Sequence, residues 1–191
     1  LRKKGANGQE SRTRLLAAAA SEFARLGYHE TKVSAIVSKA GLTQPSFYLY
    51  FQSKEAIFAE LTGMFRSGLK ALMEECGREA ERGCESVTVA VRSFLARLFA
   101  QLAHHPDLTR IGFFLSEEAA DMKEELAAVI ARCLLSRHHG LDGESRFDVA
   151  VAADCLVGAV ERLTLQQLLP GKRSAEELAG EVAQFYSVGL E

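Results

Sequence analysis

The sequence predicts an all-α protein, with a three-helix helix-turn-helix head over residues 1–54 and a larger helical body over residues 55–191. Three observations carry that reading. Apolar residues recur at three- and four-residue intervals along nearly the whole chain, and no segment keeps the strict alternation of a half-buried strand. Prolines stand only at positions 45, 106 and 170, where each can open or close a helix rather than interrupt one. Near the N-terminus, two short apolar-striped segments meet at Ala40-Gly41-Leu42, a tight glycine corner of the kind that joins helices steeply.

Taken in order, residues 11–26 place Leu15, Leu16, Ala19, Phe23 and Leu26 on one stripe, with Gly27 as the stop. A short helix over 33–39 turns Val33, Ile36 and Val37 inward. Thr43 suits the N-cap of the next helix, and Pro45 falls in its first turn, where a missing N–H costs nothing. Ser53 caps a long helix to residue 81, with Phe58, Leu61, Phe65, Leu69, Leu72 and Cys76 inward. The next, over 87–104, carries Val91, Phe94, Leu95, Leu98 and Leu102 and breaks at Pro106. A short segment at 108–115 and a helix at 117–138 follow, and Gly140 and Gly143 mark a turn. Residues 146–168 are apolar on more than one side, through Val149, Ala152, Ala153, Leu156, Val157, Ala159, Val160 and Leu163. Such a helix should be covered on two faces, one by its own domain and one by a partner. Pro170-Gly171 ends it, and Ser174 with Glu177 forms a capping box for a last helix bearing Leu178, Val182, Phe185 and Tyr186.

Composition narrows the function classes. Of the 191 residues, 48% are hydrophobic and 25% charged, a globular balance rather than a disordered one. No apolar run approaches the roughly 18 uninterrupted residues of a membrane helix. Leu1-Arg2-Lys3-Lys4-Gly5 is basic but leads into no apolar segment, so it does not read as a secretory signal, and a cytoplasmic protein is expected. Cys76, Cys84, Cys133 and Cys155 show neither paired metal-ligand spacing nor a disulfide framework, and read as reduced thiols. Cys84 falls in an expected loop, with no basic cluster near it to support a redox role. The net charge of −2 hides a division: residues 1–54 hold nine Lys/Arg against three Asp/Glu, leaving the body with fourteen against twenty-two. A basic head on an acidic body suggests that the head meets a polyanion.

The informative stretch is 31–54. Gly41 belongs at the corner because a Cβ would resist a left-handed conformation and a close approach. On the second helix Phe47 and Phe51, four apart, both face inward, while Gln44, Ser46, Tyr48 and Tyr50 put polar groups near the opposite surface. The N-terminal end of such a helix is the end that enters the major groove, and its positive dipole favours phosphate.

This stretch resembles the TetR family of transcriptional regulators. The family pattern of a helix-turn-helix followed by Tyr, Phe and Lys at three-residue intervals is met by Tyr48, Phe51 and Lys54. Upstream, Phe23-Ala24, Gly27-Tyr28, Thr31, Val33 and Ile36 also match, so that about 45 residues carry the resemblance. Two positions depart from it. Val37 replaces a small Ala, and Lys32 stands where a capping Ser or Thr is common, so Thr31 is expected to cap that helix.

What the resemblance implies is a dimeric, ligand-responsive repressor of a palindromic double-stranded DNA operator. Gln44 takes a base-reading position, since Gln can pair bidentately with adenine. Thr43, Pro45 and Ser46 lie beside it, Pro45 and Ser46 within reach of a thymine methyl or base edge. Tyr48 and Lys54 look like the family's phosphate contacts, Lys32 and Ser34 are backbone contacts on the preceding helix, and Tyr50 reaches phosphate or base. Leu49 can offer only apolar contact.

The body is implied to bind a small molecule and to form a homodimer through its last two long helices. Ala175, Ala179 and Ala183, four apart, permit close approach of another helix, either the partner's or one in the same chain. Effector-lining candidates are Met64, Phe65, Phe94, Phe99, Phe113, Phe114 and Met122, with His104, Arg110, Glu161 and Gln166 as polar members, a set that favours a hydrophobic effector. Each of the apolar ones also suits an ordinary core. No cofactor or metal is expected: His104-His105 and His138-His139 are adjacent, about 100° apart on a helix, whereas zinc helices use i, i+4 spacing. No nucleophile–base pair marks an enzyme. The alternative is a helical interaction protein acting through protein contacts without operator binding.

Overall fold

The computed structural model describes the backbone of residues 2–82, 87–138 and 148–190, and the side chains of 8–79, 88–135 and 148–186. The helices are α1 Arg2–Glu30, α2 Val33–Ala40, α3 Gln44–Tyr48, α4 Lys54–Arg82, α5 Val87–His104, α6 Pro106–Thr109, α7 Ala119–His138, α8 Val149–Leu163 and α9 Ala175–Leu190. Two π-helical turns extend them, Arg110–Leu115 after α6 and Thr164–Leu168 after α8. No strand occurs among the described residues. Cys84, His139, Gly140, Gly143 and the side chain of His138 lie outside them.

The chain forms two compact units. The first takes Leu1–Arg66 together with Asp107–Ala119. It therefore extends past residue 54, and the reason is packing. Ile57 and Leu61 of α4 and Ile111 of the π-turn are buried in the same core as Leu15, Ala19 and Phe23 of α1, Ile36 and Val37 of α2, and Phe47 and Phe51. Including these segments brings Glu55, Glu60, Asp107, Glu117 and Glu118 into the unit, which holds eleven Lys/Arg against eight Asp/Glu, a net charge of +3 rather than +6. Gly112 lets the π-turn lie against Phe65, because a Cβ there would stand 2.8 Å from Phe65 Cβ and closer still to its ring.

Within this unit two side chains fall differently from their expected places. Leu26 is exposed rather than inward. Gly27 follows it at φ 79° and ψ 170°, and beyond that break Tyr28 and Phe58 cover Phe23, with ring centroids 5.9 and 5.0 Å from it. Thr31 does not cap α2. Its hydroxyl donates backwards to the carbonyls of Gly27 at 2.7 Å and Glu22 at 3.2 Å, and Lys32 occupies the N-cap without a side-chain bond.

The second unit comprises Ser67–Pro106 and Ala120–Glu191. Here α5 runs along α9, burying Leu95, Leu98, Phe99 and Leu102 of one and Leu178, Ala179, Val182 and Ala183 of the other. The small residues at 179 and 183 thus serve packing inside one chain, since both are almost wholly buried. The capping box forms as expected: Ser174 N–H donates to Glu177 Oε2 at 2.8 Å, and Glu177 N–H donates to Ser174 Oγ at 3.2 Å. Phe185, expected inward, is 78% exposed. With 179 and 183 buried, the packed stripe is centred about 90° around the helix from position 185. On α8, Ala153, Leu156, Val157 and Val160 are buried, while Val151, Cys155, Gly158 and Arg162 recur on the opposite, exposed face.

Candidate nucleic-acid interface

The corner between α2 and α3 is fixed from both sides. Gly41 sits at φ 64° and ψ 37°, the left-handed region where a side chain is strained, and its N–H bonds back to Ser38 O at 3.1 Å. A guanidinium lies over the same corner: Arg14 donates to Ala40 O, and a Cβ on Gly41 would be 2.7 Å from Arg14 Nη2. A larger residue at 41 would therefore meet both backbone strain and Arg14.

Beyond the corner, α3 divides cleanly into two faces. Phe47 is wholly buried and Phe51 nearly so, their rings 5.7 Å apart. Gln44, Pro45, Tyr48 and Leu49 are exposed, Tyr48 by 58% and Leu49 by 80%. Thr43 is the N-cap, but its hydroxyl pairs with Ser46 Oγ at 2.9 Å instead of a backbone N–H. Lys32 and Ser34 are exposed at the start of α2. Tyr50 is partly buried, packed against the core.

Among the described residues of the head, most cations are engaged within the protein. Arg12 pairs with Glu60 at 2.5 Å and lies over the Phe51 ring. Arg25 and Lys39 both meet the buried Glu22, at 2.7 and 3.0 Å, and their hydrogen bonds hold its carboxyl below the usual carboxylate range.

Lys54, expected to meet phosphate on DNA, has its ammonium turned inward here. Its ammonium donates to Tyr28 O at 2.9 Å and Thr31 O at 3.1 Å, with His29 O at 3.5 Å, and lies 4.3 Å from the centre of the Tyr28 ring. The end of α1 leaves carbonyls without helical partners, and a cation there is doubly favourable.

The same clamp makes stability depend on pH. Tyr28 Oη donates to Glu55 Oε1 at 2.6 Å. That bond, with hydrogen bonds from the Ser53 hydroxyl and a backbone N–H and the nearby Lys54 charge, lowers the Glu55 carboxyl to about 2; together with burial and the charges of Glu55 and Glu117 it raises the Tyr28 phenol to about 12. A carboxylate lowered on folding contributes above its ordinary 4.5 and loses that contribution as pH falls toward 2. A phenol raised on folding contributes below its ordinary 10 and loses it as pH rises toward 12. Denaturant midpoints should therefore stay level between these limits as far as this pair is concerned. Tyr28→Phe should flatten both flanks relative to the parent; unchanged flanks in the variant would remove the pair from the account.

The expected effector residues are divided between the units. Met64, Phe65, Arg110, Phe113 and Phe114 belong to the first; Phe94, Phe99, His104, Met122, Glu161 and Gln166 belong to the second. Phe65, Phe99, Phe113 and Met122 are buried core residues, whereas Met64 and His104 are exposed, the latter edge-on to His105. Glu161 pairs with Lys123 at 2.6 Å. A groove of about 690 Å³ in the second unit is lined instead by Met73, Gly77, Ala128, Val129 and Cys133 with a charged rim, and none of the expected residues is in it. Among the described residues no group of three or more His, Cys, Asp or Glu side chains could hold a metal, and no helix is long and apolar enough to cross a membrane.

Residues 15–61 match the model of the bacterial regulatory proteins of the tetR family. The chain is 46% identical over 183 residues, 96% of its own length and 94% of the relative's, to a Bacillus subtilis (strain 168) protein called the uncharacterized HTH-type transcriptional regulator YdgC. The chain belongs to the tetR family. As a tetR-family protein it is a DNA-binding transcription regulator and not an enzyme. Solved structures agree in fold. A TetR-family regulator from Bordetella parapertussis 12822 matches with a TM-score of 0.72 at 23% identity, over 92% of this chain and 93% of that one. The regulator FadR from Bacillus subtilis, solved in complex with stearoyl-CoA, matches with 0.69 at 19% identity, over 94% and 99%. The family model ends at residue 61, inside the first compact unit and beyond residue 54, in keeping with a head whose core is closed by α4.

Proposed function

We propose that the protein is a repressor that binds a palindromic operator as a homodimer and is released by a small hydrophobic effector. The observation that carries the DNA-binding part is the two-faced α3: Phe47 and Phe51 are locked in the core, and Gln44, Pro45 and Tyr48 are presented together to solvent. Gln44 reads an adenine edge in the major groove, with Pro45 and Ser46 beside it. Lys32, Ser34, Thr43 and Tyr48 face the phosphates.

Dimerisation is supported by the exposed apolar residues of the last long helices, Val151 on α8 and Phe185 on α9. Two heads on a two-fold axis would meet successive major grooves, roughly 34–36 Å apart. An effector lodged in the second unit would favour a different spacing only if it binds the two states with different affinity. The similar FadR was solved with stearoyl-CoA, which supports an apolar or amphipathic effector here.

The test is selection of duplexes from a random library, followed by affinity measurements on the enriched operator. Gln44→Ala should lose about 1–3 kcal/mol at one base pair per half-site, with its preference at all others and its salt dependence intact. Enrichment of no sequence would overturn the operator reading. An operator whose base preferences Gln44→Ala leaves untouched would overturn only the role of Gln44.

A further inference from the structure

Leu49 is the most exposed of the large hydrophobic side chains described, at 80%. Its position follows from the helix. Phe47 O accepts N–H bonds from both Tyr50 and Phe51, at 3.0 Å each, and Leu49 keeps helical angles of φ −73° and ψ −23°. Residue 49 therefore lies about 200° around from both buried phenylalanines, on the side opposite the core. One turn earlier on that side stands Pro45, also exposed, and Tyr48 flanks the pair. Nothing in the unit's own packing requires an apolar residue here, since Leu49 is outside the head's core and its partly buried rim. The recognition helix thus carries an apolar strip, Pro45 and Leu49, on the surface proposed to enter the groove, in a unit of net positive charge.

The major groove offers one apolar feature, the C5-methyl of thymine. We propose that Leu49 is a specificity-determining residue that reads a thymine methyl in each operator half-site, with Pro45 extending the same apolar contact. This rests on the operator reading above and goes beyond it, because it fixes a base that no polar side chain on α3 selects. A thymine is distinguished from cytosine at the same position by the methyl and by the exchange of an acceptor for a donor. Leu49 is indifferent to the second difference and sensitive to the first.

Deoxyuridine isolates that sensitivity, since it differs from thymidine only in lacking the methyl. The experiment uses the full chain and the selected operator, with each half-site thymine replaced in turn by deoxyuridine. One position should weaken binding by about fourfold in one half-site and about fifteenfold when replaced in both, the size expected for burial of one methyl. Leu49→Ala should fold with an unchanged melting temperature, bind the operator more weakly, and be indifferent to deoxyuridine at that position. Leu49→Met, which keeps an apolar reach, should retain the discrimination. If no replacement weakens the parent, or if Leu49→Ala responds as the parent does, the proposal is overturned while the operator reading stands. If the library enriches no sequence, that reading fails and the role of Leu49 fails with it.

Discussion

Phe185→Glu is expected to leave the protein folded but monomeric, with operator affinity reduced by a factor of about 100 or more. The magnitude comes from avidity. When two heads are joined, the second half-site is engaged at an effective concentration set by the linkage, and separation forfeits a factor on the order of 10²–10⁴ without touching any DNA contact. Phe185 is suited to the test because it is 78% exposed on α9, beside the stripe packed on α5 and not within it. A charge there costs the isolated unit little and opposes burial against another chain. Val151→Glu, on the exposed face of α8, should act in the same direction. Ala179→Glu would not be a useful probe: Ala179 is almost wholly buried, and a carboxylate at that position should unfold the unit instead of parting two units. Light scattering at micromolar concentration, circular dichroism and anisotropy with the operator together decide the matter. A parent protein that remains a single chain with operator present would end the dimer proposal, as would a Phe185→Glu protein that stays dimeric.

The contrast between Phe185 and Ala179 shows what the sequence could reveal about this fold. Helical periodicity was sufficient to place α5 at 87–104 and to foresee the Ser174–Glu177 cap, because both depend on neighbours within one turn or a few. The Gly41 corner was legible for the same reason, although the guanidinium of Arg14 above it, 27 positions earlier in the chain, was not. A stripe tells that one side of α9 is buried but leaves its centre uncertain by tens of degrees, which is enough to move Phe185 from core to surface. The sequence motif ends at residue 54, where its local pattern ends, whereas the packed core also takes in Ile57, Leu61 and the distant Ile111. The charges misled in a related way. Counting cations by segment ignored Glu60, Glu22 and the α1 carbonyls that hold Arg12, Arg25, Lys39 and Lys54. Candidates for an effector site were the least legible, since aromatic composition does not distinguish a cavity wall from the core.

Lys54→Met should weaken binding to the operator and to unrelated DNA by the same factor, and should lower the unfolding free energy by about 1–2 kcal/mol. The reason is positional. The ammonium bonds the carbonyls of Tyr28 and Thr31, on either side of the turn from α1 into α2, and anchors both to the start of α4. Hydrogen bonds to a charged group are worth roughly 1.5–3 kcal/mol when buried, and the half-exposed setting of Lys54 reduces that figure. Met keeps the length and apolar stem of the side chain, so packing against Tyr28 survives while the ammonium's hydrogen bonds and its charge over the Tyr28 ring are lost. With the turn loosened, α2 and α3 adopt the binding geometry for a smaller fraction of the time, and apparent affinity falls by that fraction. A lost phosphate contact would also weaken all DNA alike, but it leaves a different signature. Releasing one contact per half-site flattens the slope of log affinity against log salt by about one unit for each half-site. The clamp predicts a parallel line displaced downward, together with a lowered denaturant midpoint. An unchanged midpoint with a flattened slope would put the Lys54 ammonium on the phosphate and remove it from the clamp.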